Sequence, residues 1–254
     1  MATINDVLSV AGHEIGYVEG GGPDGHSGNI TKYWAELAPS FQGSPWCAAF
    51  QRWVDIHAKA PDLPISNPYY CPNIVTYARQ HNLWLPNNQG SPGDLVLFTW
   101  KQNGVADHIG RVVSSNGKSY VTIEGNTSST SGSIESQRNG GGVYQRTRTI
   151  NGTILGILDY SRLLQAAAAN KANPGAAPRK KVKANPFSAK AAPCKNGAKG
   201  DQVRFVQWAV GVPVDGVYGA QTVFAVKEFQ KYHHLTVDGV VGNQTISALR
   251  GVTH

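Results

Sequence analysis

Apolar residues recur at helical spacing in the first part of the chain and define one helix clearly. The side chains at positions i, i+4, i+7 and i+8 are all large and apolar: Trp46, Phe50, Trp53 and Val54. This spacing places them on one face of a helix. We therefore predict an amphipathic helix that begins near Cys47.

Three runs rich in apolar and β-branched residues predict strands in the middle of the chain. They cover residues 92–98, which begin with a Pro-Gly turn, and residues 108–113 and 120–126. The last two runs surround Ser-Asn-Gly at 115–117, a sequence typical of a tight turn. We predict an antiparallel hairpin here.

The register of this hairpin depends on its turn. A three-residue loop with Gly117 in the left-handed conformation pairs Ser114 with Lys118, which places His108 directly opposite Glu124. A two-residue Asn-Gly turn shifts the register by one and turns Glu124 to the other face. We favour the three-residue loop, with Asn126 diagonal to the histidine on the same face.

The apolar pattern is lost between Gln165 and Cys194, where Ala, Pro and Lys dominate and Phe187 is the single aromatic residue. Such a segment cannot bury enough apolar surface to fold alone, and its prolines and like charges favour an extended chain. We predict an exposed linker here, with Cys194 exposed at its end. The predicted domains are then residues 1–164, a linker at 165–194, and residues 195–254.

The last part of the chain contains an internal repeat. Residues 214–222 recur at 237–245, an offset of 23 positions. In each copy Asp-Gly predicts a tight turn, and Thr222 or Thr245 is predicted to cap the helix that follows. Another helix is predicted at 201–210, where apolar residues recur at helical spacing.

This repeat, D-G-x-x-G-x-x-T followed in the first copy by A-V-x-x-F-Q, resembles the peptidoglycan-binding domain found at the ends of many wall hydrolases. The resemblance covers about residues 195–251. It implies a small three-helix fold that anchors the chain to the bacterial wall. Tyr218 and Gln221 are the candidate wall-binding residues.

Charge is concentrated in the predicted linker. The net charge is +7, and residues 164–194 contain six basic and no acidic residues. We interpret the segment as a solvated linker; the alternative is a tract that binds anionic wall polymers. No basic surface interleaved with aromatic residues indicates a nucleic-acid partner. No apolar run reaches ~18 residues, so we expect no membrane insertion.

Cys47 has two interpretations: a small buried hydrophobe, or a nucleophile. In the first turn of a helix, unpaired amides and the helix dipole stabilise a thiolate. His108 can take the thiol proton and give one to a leaving amine, while Glu124 or Asn126 fixes the imidazole tautomer. The Cys47 amide, and as a weaker candidate the side chain of Gln42, would stabilise the oxyanion.

Four segments support the second interpretation because they occur in order: P-W-C-A-A-F, P-G-D-L-V-L-F, D-H-I-G and I-E-G-N. They resemble the CHAP family of cysteine, histidine-dependent amidohydrolases and peptidases over about residues 1–163. The resemblance implies a papain-like α+β fold with an antiparallel sheet. It also places the family's catalytic residues on Cys47, His108, Glu124 and Asn126.

Other candidate sites have weaker support. Three cysteines, far apart and odd in number, do not indicate a disulfide framework or a cysteine-rich zinc site. Cys71 precedes no predicted helix, so we expect it to be structural. The acidic residues near the start of the chain do not follow the twelve-residue calcium-loop pattern; they are Glu14, Glu19 and Asp24. We therefore expect no metal and no cofactor.

These features predict a monomeric peptidoglycan hydrolase that cuts amide bonds in the peptide part of the wall. A CHAP-like and a wall-binding-like domain, with no signal-peptide pattern at the start, resemble a phage endolysin. Such an enzyme waits in the host cytoplasm and is released to lyse the wall. The alternatives are an exported bacterial autolysin of the same chemistry and a non-catalytic wall-binding or structural protein.

Overall fold

A computed structural model describes residues 2–21, 28–63, 65, 67–129, 139–172 and 184–252. The chain divides into two compact units, Met1–Pro64 with Ala78–Ala177, and Ile65–Tyr77 with Pro178–His254. The proposed domain bounds at 164 and 194 stay a prediction, because residues 173–183 of the predicted linker lie outside the described residues.

Eight α-helices occur among the described residues: α1 (Ile4–His13), α2 (Lys32–Leu37), α3 (Cys47–His57), α4 (Cys71–Gln80), α5 (Tyr160–Ala172), α6 (Asp201–Val210), α7 (Ala220–Tyr232) and α8 (Asn243–Arg250). None of these helices combines the length and apolar character needed to span a bilayer. α5 runs into the first part of the predicted linker, because its Ala-rich sequence has high helix propensity.

The first unit contains a six-stranded antiparallel sheet. Its strands are β1 (Trp84–Leu85), β2 (Leu95–Phe98), β3 (His108–Ser115), β4 (Ser119–Thr127), β5 (Gly142–Thr149) and β6 (Ile154–Leu158), in the order β1-β6-β2-β3-β4-β5. α3 packs against β3 and β4 at the middle of this sheet. The predicted α+β class is therefore confirmed.

The predicted register of the β3–β4 hairpin is wrong. Ser115 pairs with Tyr120, so four residues, 116–119, separate the first pair; the loop begins one residue later than predicted and is one residue longer, although Gly117 does take the left-handed conformation (φ 78°). A β-bulge between Val112 and Ser114 then shifts the pairing by one residue, so that Val112 pairs with Thr122. The bulge restores the alternation of faces that the turn alone would have reversed.

The C-terminal part of the second unit is a three-helix fold, as predicted. α6, α7 and α8 enclose a core that includes Phe205, Val226 and Leu249. Tyr218 belongs to this core: it is fully buried, and its hydroxyl donates to the carbonyl of Gly239 at 2.9 Å. Its ring is therefore not available to a wall polymer.

The two repeats carry the same hydrogen-bond network. In the first, Gln207 donates to Asp215 (2.6 Å), to the carbonyl of Val217 (3.0 Å) and to Thr222 (3.2 Å). Gln230, which is 23 positions later, makes the three equivalent contacts in the second repeat at 2.9, 2.9 and 3.3 Å. The network ties each Asp-Gly loop to the helices on both sides of it.

The threonines of the repeats do not cap their helices, which corrects the sequence prediction. α7 begins at Ala220 and α8 at Asn243, each two residues before its threonine and directly after a glycine, Gly219 or Gly242. Thr222 and Thr245 are buried in the first turn, where each hydroxyl accepts from the glutamine of its network. The hydroxyls thus satisfy a buried amide instead of the helix end.

Cys194 is buried, not exposed as predicted. It is 8% exposed, and its backbone exchanges hydrogen bonds with Val241 at 3.1 and 2.9 Å. Burial raises the pKa of its thiol to about 11. Residues 185–194 therefore pack with the second unit, and Asn185 adds a hydrogen bond to the carbonyl of Phe205 at 2.8 Å.

Candidate active site

Cys47 is the first residue of α3, as the apolar spacing predicts, and its side chain is 6% exposed. The preceding residue, Trp46, makes no capping hydrogen bond with its side chain. The first amides of an α-helix have no partner within the helix. The Trp46 side chain therefore does not cap this turn, and N–H groups at a helix start can bind developing negative charge.

Polar contacts hold both ends of the turn that carries Cys47. The indole of Trp46 donates to Glu19 at 2.5 Å. One turn further along α3, Gln51 donates to the carbonyl of Ile123 in β4 at 3.1 Å and accepts from Arg111 in β3 at 3.1 Å. These contacts fix α3 against the two strands that carry the other candidate residues.

Gly125 lets α3 approach β4 closely. A Cβ at this position would lie 2.6 Å from Cβ of Phe50 and 2.8 Å from Cζ3 of Trp46. No side chain fits in that space without moving the helix. The glycine between Glu124 and Asn126 thus sets the distance between these residues and Cys47.

His108 lies between Cys47 and Glu124. Its Nε2 is 2.9 Å from Oε2 of Glu124, and both side chains are fully buried. Burial lowers the pKa of His108, but hydrogen bonding and charge from Cys47 and Glu124 outweigh it and raise the pKa to about 9. The contact with Glu124 occupies Nε2, whereas Nδ1 is buried and makes no hydrogen bond in the described part of the chain. Nδ1 is thus the ring nitrogen that can take a proton from the thiol.

Glu124 is held as a carboxylate. Burial raises its pKa, but hydrogen bonds from Arg148 and His108 outweigh burial and lower the pKa to about 2. Thr122 also donates to Oε1 at 2.5 Å. The carboxylate therefore accepts from the imidazole and can fix its tautomer.

Asn126 lies in a second bulge. The β4–β5 pairing shifts between Glu124 and Thr127, and Asn126 has a left-handed backbone (φ 57°), which asparagine tolerates better than most residues. Its amide nitrogen is 3.3 Å from Oδ1 of Asn139. The structure thus places Asn126 two residues after Glu124, fully buried, in a conformation that re-aims its side chain.

Sequence reasoning missed Arg148 on β5. Its Nε donates to Oε1 of Glu124 at 2.7 Å, and Nη2 donates to Oε2. The guanidinium also lies 5.0 Å from the ring of Trp100. In the sequence, Arg148 is one of two arginines at alternate positions of a strand. Its partner, Glu124, lies on the neighbouring strand β4 and is distant in the chain.

Gln42 has a structural role that competes with the predicted oxyanion contact. Its amide nitrogen donates to the carbonyl of Thr31, and its oxygen accepts from the Thr31 amide, both at 2.8 Å. These bonds fasten the residue that caps α2. Both polar atoms of the Gln42 side chain are therefore occupied, and its oxyanion contact stays a prediction.

The other two cysteines do not join the site. Cys71 begins α4, so the prediction that it precedes no helix is wrong; its proline at the next position suits a first helical turn. Cys47 and Cys71 thus both start helices and both are buried. What distinguishes Cys47 is the imidazole of His108.

Two of the three acidic residues that the sequence offers as possible metal ligands bind other side chains in the structure. Glu19 binds Trp46, and Glu14 binds the hydroxyl of Tyr33 at 2.5 Å, while Asp24 lies outside the described residues. No group of three or more His, Cys, Asp or Glu in the described ranges is placed to hold a metal ion.

A cleft of about 410 Å³ lies near the C-terminal end of β4. It is lined by Val18, Ser128, Ser129, Gly141 and Tyr144. The amide of Gly140 next to this lining donates to the carbonyl of Asn126 at 3.0 Å. A larger cavity of about 700 Å³ lies at the other end of α3, near His57, and none of the candidate residues line it.

Two segments of the chain match known families. Residues 39–126 match the CHAP domain, and residues 201–249 match a putative peptidoglycan binding domain. No curated protein and no solved structure matches the chain. The CHAP match contains Cys47, His108, Glu124 and Asn126, and it ends before Arg148.

Proposed function

We propose that this chain, in which a CHAP domain is joined to a peptidoglycan-binding domain, cleaves amide bonds in the peptide part of peptidoglycan with Cys47 as nucleophile. The two domains together indicate a peptidoglycan hydrolase. The observation that carries the finer proposal is the buried contact between Nε2 of His108 and the carboxylate of Glu124, together with Cys47 at the start of α3 as the group that most raises the pKa of this imidazole.

In the proposed reaction, the Cys47 thiolate attacks the carbonyl carbon of a wall amide, and the carbonyl oxygen takes the negative charge. The first-turn amides of α3 donate to that oxygen. The His108 imidazolium gives its proton to the departing amine as the C–N bond breaks, which leaves a thioester. Water then loses a proton to neutral His108 and attacks the thioester, which releases the acid and restores the thiolate.

Glu124 and Asn126 are the proposed orienting residues. Glu124 accepts a hydrogen bond from Nε2–H of His108 and so leaves Nδ1 as the nitrogen that exchanges protons with the thiol. In the second domain, Gln221 remains the proposed wall contact, and its side chain is half-buried.

Cys47→Ala in the full chain tests the proposal against a non-catalytic wall-binding protein. The variant should still pellet with isolated walls, because residues 201–249 are unchanged, but it should release no new amino termini. Cys71→Ala, which removes a buried cysteine outside the site, should cleave as wild type does. Wild-type cleavage by Cys47→Ala would overturn the cysteine mechanism. Mass spectrometry of the fragments identifies the bond, whether muramoyl amide, stem peptide or cross-bridge.

The cellular role that we propose is that of a phage endolysin, which accumulates in the host cytoplasm until the membrane is permeabilised. The union of a lytic and a wall-binding domain in one short chain supports this. Cells that produce the protein should keep their turbidity until the membrane is opened, and then lyse. Lysis without that treatment, with protein in the medium, would favour an exported autolysin.

The basic linker is proposed to bind anionic wall polymers. Its residues Arg179, Lys180, Lys181 and Lys183 lie outside the described residues. Because exposed charges are screened over ~8 Å at physiological salt, neutralising the four should weaken wall binding at low salt and hardly change it at high salt. Unchanged binding at low salt would leave the segment as a solvated linker only.

A further inference from the structure

Arg148 is buried beside the candidate active site without touching the thiol or the imidazole in any described hydrogen bond. It is 8% exposed, and its guanidinium contacts both carboxylate oxygens of Glu124. Nη2 also donates to Thr127 at 3.3 Å, and the cation lies 5.0 Å from the ring of Trp100 and 5.6 Å from that of Phe98. Such a forked contact holds a carboxylate in one orientation.

The proposed mechanism puts three charges in this buried space. Cys47 reacts as a thiolate, His108 as an imidazolium, and Glu124 is a carboxylate. These sum to one uncompensated negative charge, and a buried charge is costly unless it is paired. The guanidinium of Arg148 brings the sum to zero and completes a row of alternating charges: thiolate, imidazolium, carboxylate, guanidinium.

We propose that Arg148 is a positioning residue that balances the charge of the site, so that Cys47 and His108 can exist together as a buried thiolate–imidazolium pair. This inference rests on the proposed cysteine mechanism. Arg148 acts through Glu124. If the guanidinium were lost, the cheapest way to remove the excess negative charge would be to return a proton to the thiolate.

Other charged groups lie near the site. Arg146, on the same strand, donates to the carbonyl of Ser129 at 2.6 Å; burial and Arg148 lower its pKa, while the charge of Glu124 raises it. Arg148 is the cation that donates to both oxygens of this carboxylate. The remaining charged groups on the packed elements have side-chain contacts of their own: Asp107 with the amide of Trp100, Arg111 with Asp55, and Glu19 with Trp46. Tyr144 on β5 lies opposite Glu124 in the backbone pairing.

A purely structural arginine would behave differently. If Arg148 only joined β4 to β5, its loss would lower stability and activity at every pH by the same factor. A charge-balancing arginine changes the pH at which the thiolate forms. That pH can be measured without any wall substrate, because a thiolate reacts with iodoacetamide and a thiol does not.

The test is the alkylation rate of Cys47 in the full chain as a function of pH, followed on the Cys47 peptide by mass spectrometry. Wild type should reach half its maximal rate well below the value of an ordinary thiol, about pH 8.5. Arg148→Gln should raise this half-maximal pH by about one unit or more. Arg148→Lys keeps the charge and should stay near wild type. Arg162→Gln, an exposed arginine on α5, is the control and should not change the profile.

The outcomes separate the two proposals. Wild-type Cys47 that titrates as an ordinary thiol contradicts the cysteine mechanism itself. A low half-maximal pH that is equal in wild type and Arg148→Gln, or a shift that Arg148→Lys shares, overturns the role of Arg148 alone. If Arg148→Gln does not fold, the comparison is made in Glu124→Gln, which removes the carboxylate that the arginine would leave behind. In that background the thiolate–imidazolium pair is neutral without the guanidinium, so loss of Arg148 should leave the half-maximal pH unchanged, and a rise would contradict a role of Arg148 through Glu124.

Discussion

Glu124 reaches His108 through the space that Gly110 leaves empty. A Cβ on Gly110 would lie 2.7 Å from Cγ of Glu124 and 3.3 Å from its carboxyl carbon. With no side chain there, Glu124 extends along β3 and places Oε2 2.9 Å from Nε2 of the histidine two residues away. The glycine of the Asp-His-Ile-Gly segment is thus part of the geometry of the site.

Gly110→Ala should therefore separate the two side chains. The new methyl group must displace Glu124 or the strand, at a cost of about 1–3 kcal/mol of unfolding free energy, as is usual for overpacking. We expect wall-hydrolysing activity to fall by more than this stability loss explains, which is checked by comparing activity well below the melting temperature. Gly152→Ala is the matched control, because a Cβ there meets nothing within 4 Å. Full activity in Gly110→Ala would show that Glu124 need not contact His108 in this way.

Cys47→Ala should lower the pKa of His108. The thiol is the first of the groups that raise this pKa to about 9. In the variant, Glu124 is left to oppose the burial that lowers this pKa. NMR titration of the imidazole in wild type and in Cys47→Ala measures the change.

Cys71→Ala is the control for this titration, because it also removes a buried thiol at a helix start but leaves the candidate site intact. It should leave the pKa of His108 at the wild-type value. An equal pKa in Cys47→Ala and wild type would mean that the thiol does not interact with the imidazole.

Gly125→Ala should move α3 away from β4. Its Cβ would meet the Cβ of Phe50 at 2.6 Å, an atom that cannot swing aside without the helix. Overpacking of this kind costs about 1–3 kcal/mol, and the displaced helix should carry Cys47 away from His108. Loss of activity together with a lower rate of Cys47 alkylation is the expected result. A normal alkylation profile would show that β4 has moved instead.

Gln230→Ala should destabilise the C-terminal helices. It removes a buried side chain that donates to Asp238, to the carbonyl of Val240 and to Thr245, and it leaves a buried carbonyl and hydroxyl without these bonds. The expected cost is about 1–3 kcal/mol. Gln244→Ala, an exposed glutamine in the same domain, should cost almost nothing. Thermal melts and wall pelleting measure the effect, and equal melting curves for the two variants would contradict it.

The sequence predicted those parts of the site that depend on local pattern. The apolar spacing located the start of α3, and hence Cys47, because a buried helical face repeats every three to four residues. The face shared by His108 and Glu124 was predicted correctly from a wrong register. The bulge near Val113 compensated for a turn one residue longer than expected, and no local sequence pattern predicts such a bulge.

The contacts that the sequence did not predict join residues far apart in the chain. Arg148 binds a carboxylate 24 positions away, and its burial depends on Trp100. Likewise, Thr222 followed a turn and so indicated a helix cap, yet its hydroxyl accepts from Gln207, 15 positions earlier on another helix. Pairwise contacts of this kind depend on how elements pack, which propensity and periodicity do not specify.

The repeated glutamine network links the three C-terminal helices in two consecutive steps, from α6 to α7 and from α7 to α8. α7 carries Thr222, which receives the first network, and Gln230, which donates the second. Each step therefore begins on the helix where the previous step ends, and both steps have the same length of 23 residues. A third copy of that length, inserted after α7 in the same register, would accept hydrogen bonds from Gln230. It would also supply a glutamine of its own as the donor to the copy that follows. The pattern thus allows the domain to be extended by whole 23-residue repeats, as in solenoid proteins.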